Sequence, residues 1–230
     1  VLYHCSYWFK FPDNDFSYCL KNIMSLNGQG GAIGVEFFFV LSGFLISYLL
    51  FAEKQLKNKI DVFSFYLRRV LRIWPLYFLT LLIGFFIFPF ILFLLGIPYE
   101  ESSSLFMYSV FLANFDNISF SVANGILGVQ WSVAVEEQFY LVWPLLFILL
   151  NRKFLFPMVA ILLCGLSEYY IIKHFSEFGV TYYHSFSCAK FLIFGCVLAY
   201  FASHYKSLII NFFGGLGYVS VSLVYLSWIF

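Results

Sequence analysis

The sequence predicts an all-α, polytopic transmembrane helical bundle, and three observations carry that prediction. Hydrophobic residues make up 62% of the 230 positions, charged residues only 11%, and the mean hydropathy is +0.88. A soluble domain of this length would be far more polar. The apolar residues fall in long uninterrupted runs, which suit helices that satisfy their own backbone in lipid. Charge enters or borders those runs in three stretches: Gly34-Val35-Glu36 through Ile46, Tyr66-Leu67-Arg68-Arg69-Val70-Leu71-Arg72 through Pro75, and Trp131-Ser132-Val133-Ala134-Val135-Glu136-Glu137-Gln138. Ionisable groups are expensive at membrane depth, so the default expectation for them is function.

Runs of about 18 or more apolar residues fall at 34–52, 74–96, 131–151, 154–172, 187–203 and 208–230, after a half-helix at 1–9. The first carries Ser42-Gly43 at its middle, small residues that let membrane helices approach closely. The second follows the arginine stretch and has Pro75 near its start. The third contains Pro144, an expected kink, since neighbouring helices can re-satisfy the freed carbonyl. Residues 105–115 supply only 11 apolar positions, which predicts an interfacial or re-entrant piece. Without a crossing there, Lys54, Lys57, Lys59, Arg68, Arg69, Arg72, Arg152, Lys153 and Lys206 share one side, leaving Lys10, Lys21, Lys173 and Lys190 toward the other. The positive-inside rule then puts the loop 53–72 in the cytoplasm and 10–33 and 97–130 outside.

Several classes are excluded. No basic stripe interleaved with exposed aromatics is present, so no nucleic-acid partner is expected. Cys5, Cys19, Cys164, Cys188 and Cys196 form no C-x-x-C pair and no metal-ligand spacing, so no metal is expected. No internal repeat or hydrophilic linker divides the chain, which reads as one membrane-embedded domain over 1–230. Starting at Val1 within an apolar run and stopping at Phe230, it reads as incomplete at both ends.

Five residues are the chemical candidates. Arg69 and Arg72, spaced i, i+3, share a helix face that Arg68 does not. Two guanidiniums suit bidentate capture of phosphate, as in a cytoplasmic carrier such as coenzyme A; basic residues at a cytoplasmic helix end are also what topology alone demands. His4, six residues before Lys10, lies roughly 9 Å deeper along a helix axis, where a neutral imidazole can take a proton from a hydroxyl or simply bridge two helices. Glu36 and Glu136 both sit in the first turns of a span at its outer end. Either could orient an imidazole or a sugar hydroxyl, and either could cap a helix. Two adjacent acids, Glu136 and Glu137, predict one facing the interior and one the interface. His174, His184 and His204 read as interfacial.

The three stretches, in this order and separation, resemble the membrane-integral acyltransferase 3 family, which includes O-antigen and exopolysaccharide O-acetyltransferases. A weaker echo is Tyr183-His184-Ser185-Phe186-Ser187-Cys188 leading to Gly195 and Ala199-Tyr200. The resemblance implies a fragment of a roughly ten-helix domain, each helix about 20 residues, in a bacterial inner membrane. It implies acyl transfer, acetyl above all, from acyl-CoA to a hydroxyl of a carbohydrate, cell-envelope or lipid-linked glycan acceptor. His4 would be the base, Arg69 and Arg72 the acyl-CoA ligands, and Glu136 or Glu36 the positioning carboxylate. The bundle would hand the acyl group across the membrane. Lys190 stands where relatives often have an acid. A transporter would also place His, Glu and Arg in spans, and a non-catalytic remnant of the fold is the other alternative.

Overall fold

The computed structural model describes residues 15–99, 103–119, 126–150 and 155–205, with side chains described from residue 32 onward except that of Ile126. His4, the half-helix at 1–9 and the expected span 208–230 lie outside the described residues. Every described element is helical: α1 (Asp15–Lys57), α2 (Val62–Leu82) running through a π turn (Ile83–Ile87) into α3 (Phe88–Leu94), α4 (Leu105–Ser109), α5 (Ala113–Ser119), a 3₁₀ turn (Ile126–Val129), α6 (Gln130–Leu149), α7 (Leu155–Lys173), α8 (Phe178–Tyr183) and α9 (Ser185–His204). Among the described residues, five segments are long and apolar enough to cross a bilayer: Ala32–Lys57, Val62–Leu94, Leu127–Leu149, Leu155–Lys173 and Phe178–His204.

Residues 105–115 are in none of them. Two helices of 5 and 7 residues occupy the region, broken at Phe111, whose φ of 58° is left-handed and ends α-helical propagation.

Two sequence expectations need correction. The expected loop at 10–33 is helical from Asp15, because an i→i−4 ladder nucleated by the apolar span propagates at little cost per residue. The expected loop at 53–72 shrinks to residues 58–61. There Asn58 turns the chain at φ 55°. Asp61 then caps α2, accepting from the Ser64 backbone N–H at 3.0 Å and its hydroxyl at 2.6 Å. Arg68, Arg69 and Arg72 are therefore helical residues within α2. Farther along, Pro89 would clash with the carbonyl one α-turn earlier. The π turn preceding it, closed by the Phe88 N–H on the Ile83 carbonyl, widens the helix there.

α1 and α9 pack backbone to backbone. A Cβ on Gly43 would lie 2.0 Å from the Leu192 carbonyl oxygen, and one on Gly195 would lie 2.0 Å from that of Val40. Ser42-Gly43 is thus the close-approach point that small residues provide. Around this seam, Ile46, Leu50, Phe51, Phe65, Trp143, Phe147, Phe156 and Tyr200 form the core toward the Lys57 end. Phe39, Trp131, Val135, Cys188 and Leu192 form it toward the opposite end. Leu76, Phe93, Leu141, Ile161 and many like them point outward, as lipid-facing side chains do.

Candidate functional site

α2 and α6 run antiparallel and share a ladder of polar contacts. Starting at the Lys57 end, the Tyr66 hydroxyl donates to the Leu141 carbonyl at 2.6 Å. One turn on, the Arg69 guanidinium lies 5.4 Å over the Tyr140 ring and 5.6 Å from that of Phe65. Trp74 Nε1 donates to Glu137 Oε2 at 3.3 Å, and Gln130 Nε2 donates to Thr80 Oγ1 at 2.7 Å.

Glu136 sits at the centre of this ladder. It is 4% exposed. The Ser42 hydroxyl from α1 donates to Oε1, and the Tyr140 hydroxyl donates to Oε2 at 3.0 Å. The i, i+4 spacing of Glu136 and Tyr140 puts both on one helix face. Four side chains from three helices, Ser42, Glu136, Tyr140 and Arg69, are therefore linked in sequence. A carboxylate held by two hydroxyls and faced by a cation has a fixed orientation, which a proton acceptor or a positioning group requires.

Arg69 is half-buried and makes no hydrogen bond with a described residue. Its five N–H donors are available to a planar anion, and its ring contacts hold the fork in place. Arg72, one turn further along, is exposed. Arg68 instead faces Glu53, at 3.7 Å. The expected split between the two faces of α2 is present. The expected separation of the arginines from Glu136 is not, because α2 begins at Val62 and carries Arg69 about 10 Å in from its start. Glu137, beside Glu136, keeps Oε1 buried without a hydrogen bond among the described residues. Leaving such an acceptor unmet costs on the order of 1–3 kcal/mol.

Glu36 does not join this group. It lines a separate cavity near the middle of α1, with Trp131, Tyr182 and Lys190. Six residues, about 9 Å along a helix, separate it from Ser42. Lys190 pairs with Glu168 at 2.9 Å, so its charge is matched within the bundle.

Sequence reading missed a third polar group. Gln138 Nε2 donates to Asn114 Oδ1 at 2.9 Å, Asn114 Nδ2 donates to Ser185 Oγ at 2.9 Å, and the Ser185 hydroxyl donates back to Gln138 Oε1. Gln138 also donates to the Phe111 carbonyl at 2.7 Å, and Asn114 to that of Tyr183 at 3.1 Å. This closed network pins the α4–α5 piece and the start of α9 to α6. Its sequence signal was two isolated amides, Asn114 and Gln138, in a mostly apolar chain. His184, read as interfacial, caps α9 by accepting from the Phe186 N–H at 3.2 Å. Among the described residues no cluster of His, Cys, Asp and Glu has the makeup of a metal site.

A model of the acyltransferase domain family Acyl_transf_3 matches residues 1–230. The chain is 30% identical to O-acetyltransferase OatA of Staphylococcus aureus over 195 residues, which is 77% of this chain and 32% of that protein. It is 34% identical to peptidoglycan O-acetyltransferase OatA of Listeria monocytogenes over 123 residues, 50% of this chain and 20% of that protein. To the putative peptidoglycan O-acetyltransferase YrhL of Bacillus subtilis it is 31% identical over 184 residues, 74% of this chain and 29% of that protein. The chain thus spans a third or less of these relatives' length. No solved structure gives a significant match.

Proposed function

The chain belongs to the Acyl_transf_3 acyltransferase family, and from that premise we propose that it is the membrane-embedded part of an O-acetyltransferase acting on a hydroxyl of a cell-envelope glycan. The relatives' names support acetyl as the group and peptidoglycan as the kind of acceptor. A bacterial inner membrane is the site at which such a bundle would meet both a cytoplasmic donor and an envelope glycan. One observation carries the reading: a half-buried Arg69 with uncommitted donors faces, through Tyr140, a buried carboxylate fixed by two hydroxyls.

Acyl-CoA, acetyl-CoA above all, is the donor whose chemistry fits Arg69. Bound there, it would supply the acyl group as a thioester and present phosphates to the guanidinium. Arg69 binds the anion bidentately, with Arg72 one turn away adding charge at the exposed side of α2. His4 accepts the proton of the acceptor hydroxyl as its oxygen forms the new ester bond, and returns that proton to the departing thiolate. Glu136 orients the imidazole or the hydroxyl; Ser42 and Tyr140 hold its carboxylate in one position. Glu36, six residues before Ser42 on α1, serves the acceptor.

The test uses the full-length protein in membranes with labelled acetyl-CoA and a peptidoglycan glycan acceptor. Label covalently bound to the glycan supports the enzyme. Label accumulating unchanged inside vesicles supports the transporter, and no label in either place supports a non-catalytic remnant. His4→Ala should lower turnover by roughly 10²-fold or more, and His4→Gln, unable to cycle a proton at neutral pH, should be nearly as inactive. A Gln variant with near-normal turnover removes His4 from the mechanism.

A further inference from the structure

The cavity beside Glu36 has a composition of its own. It measures about 110 Å³ and lies where α1, α6, α7, α8 and α9 converge, at the end of the bundle away from Lys57 and Arg68. Trp131, Tyr182 and Phe191 give it aromatic walls, and Glu36 and Lys190 give it one carboxylate and one ammonium. Glu36 is half-buried and accepts no hydrogen bond from a described residue. Lys190 is held by Glu168 at 2.9 Å, which leaves the other N–H donors of its ammonium for a guest.

Size and chemistry together select the guest. At about 10–15 Å³ per water on this measure, the cavity takes a group of several heavy atoms. That suits one sugar ring and excludes the nucleotide of coenzyme A. A lipid tail has no use for the Glu36 carboxylate, which would be left unpaired against it. A pyranose matches each feature: its C–H faces pack on aromatic rings, its hydroxyls donate to a carboxylate, and its oxygens accept from an ammonium.

We propose that the cavity bounded by Glu36, Trp131, Tyr182 and Lys190 is a carbohydrate subsite that holds one pyranose ring of the acceptor. The ring packs against the aromatic wall, one hydroxyl donates to Glu36, and Lys190 donates to a ring or hydroxyl oxygen. The assignment of this sugar as the acyl acceptor rests on the acetyltransferase reading; the sugar binding itself does not. Trp131 precedes Glu136 by five residues and Glu36 precedes Ser42 by six, so the subsite lies roughly 8–9 Å along the bundle axis from the Ser42–Glu136 pair. That is about the length of a sugar residue with its exocyclic arm, so a ring bound here reaches toward the fixed carboxylate.

The experiment is saturation-transfer NMR with chitotetraose at millimolar concentration on the full-length protein in nanodiscs, with thermal stability measured alongside. The expected result is saturation of the sugar ring protons, with affinity weakened roughly tenfold by Glu36→Gln or Lys190→Met, the scale of one hydrogen bond to a charged group. Arg68→Ala, remote from the cavity, should bind as the wild type does. Thr181→Trp, placed on the cavity wall from the short helix α8, should block binding by filling the space, and serves if either charge variant is unstable. No saturation in the wild type, or the same affinity in all of these variants, overturns the subsite. Pocket-dependent sugar binding in a protein that transfers no acetyl group upholds the subsite and overturns the acetyltransferase reading.

Discussion

The guanidinium of Arg69 lies 5.4 Å over the ring of Tyr140. Because the Tyr140 hydroxyl is committed to Glu136, this one contact joins the basic end of α2 to the buried carboxylate of α6. It also ranks the arginines. Arg69→Ala should raise the KM for acetyl-CoA most, Arg72→Ala less, and Arg68→Ala least, since Arg68 is already facing Glu53. Arg69→Lys should rescue only in part, because an ammonium lacks the planar fork. Steady-state kinetics on the three alanine variants checks this, and equal effects at all three would mean that the charges serve membrane orientation alone.

The α1–α9 seam tolerates no added carbon. Gly43→Ala and Gly195→Ala each place a methyl group 2.0 Å from a backbone oxygen. A backbone cannot swing aside as a side chain can, so each should cost about 1–3 kcal/mol or more, the range for overpacking. Gly34→Ala, with nothing within 4 Å of its Cβ position, should leave the melting temperature unchanged. Thermal unfolding in detergent compares the three.

Asp61 gives the start of α2 a pH dependence. Hydrogen bonds from the Ser64 hydroxyl first, and then from its backbone N–H, hold the exposed Asp61 carboxyl below its ordinary pKa. A carboxyl whose folded-state pKa is depressed stabilises the fold above its unfolded pKa, and that contribution disappears as pH falls through the folded value. Asp61→Ala should therefore lower the melting temperature at neutral pH. Asp61→Asn, which still caps, should lower it less and remove the acid-side dependence. Melting curves from neutral to acid pH measure both effects.

Cysteines engineered at Glu100 and Asn124 should label from the same face of the membrane, because the described residues between them form only short helices broken at Phe111. Labelling from opposite faces would mean that this segment crosses, and would undo the assignment of one end of the bundle to the donor and the other to the acceptor.

Much of this arrangement was legible in the sequence because lipid enforces a simple rule. Charge at depth is costly, so Arg69, Glu36 and Glu136 stood out without any structure, and Ser42-Gly43 announced a close helix contact. Partners were not legible. Ser42 and Glu136 are 94 residues apart, and nothing in local periodicity says which hydroxyl will meet which carboxylate. The two glutamates looked equivalent from their places at helix starts. Only the offset of α1 against α6 sends Glu136 into the core and Glu36 into a cavity. The Asn114–Gln138–Ser185 network stayed hidden for the same reason, since amides carry no charge to mark them and their pairing is tertiary.

The central claim is that the carboxylate held by Ser42 and Tyr140 works in catalysis, and Glu136→Gln tests it most directly. A glutamine keeps a carbonyl oxygen to accept from either hydroxyl and nearly the same volume, so folding should be close to normal. Its amide has neither the charge nor the basicity of the carboxylate. Measured as acetyl transfer per folded molecule, turnover should fall by roughly 10²-fold or more, the scale of a lost acid–base or orienting group, with little change in melting temperature. A Glu136→Gln protein that melts normally and transfers acetyl at the wild-type rate would contradict the account.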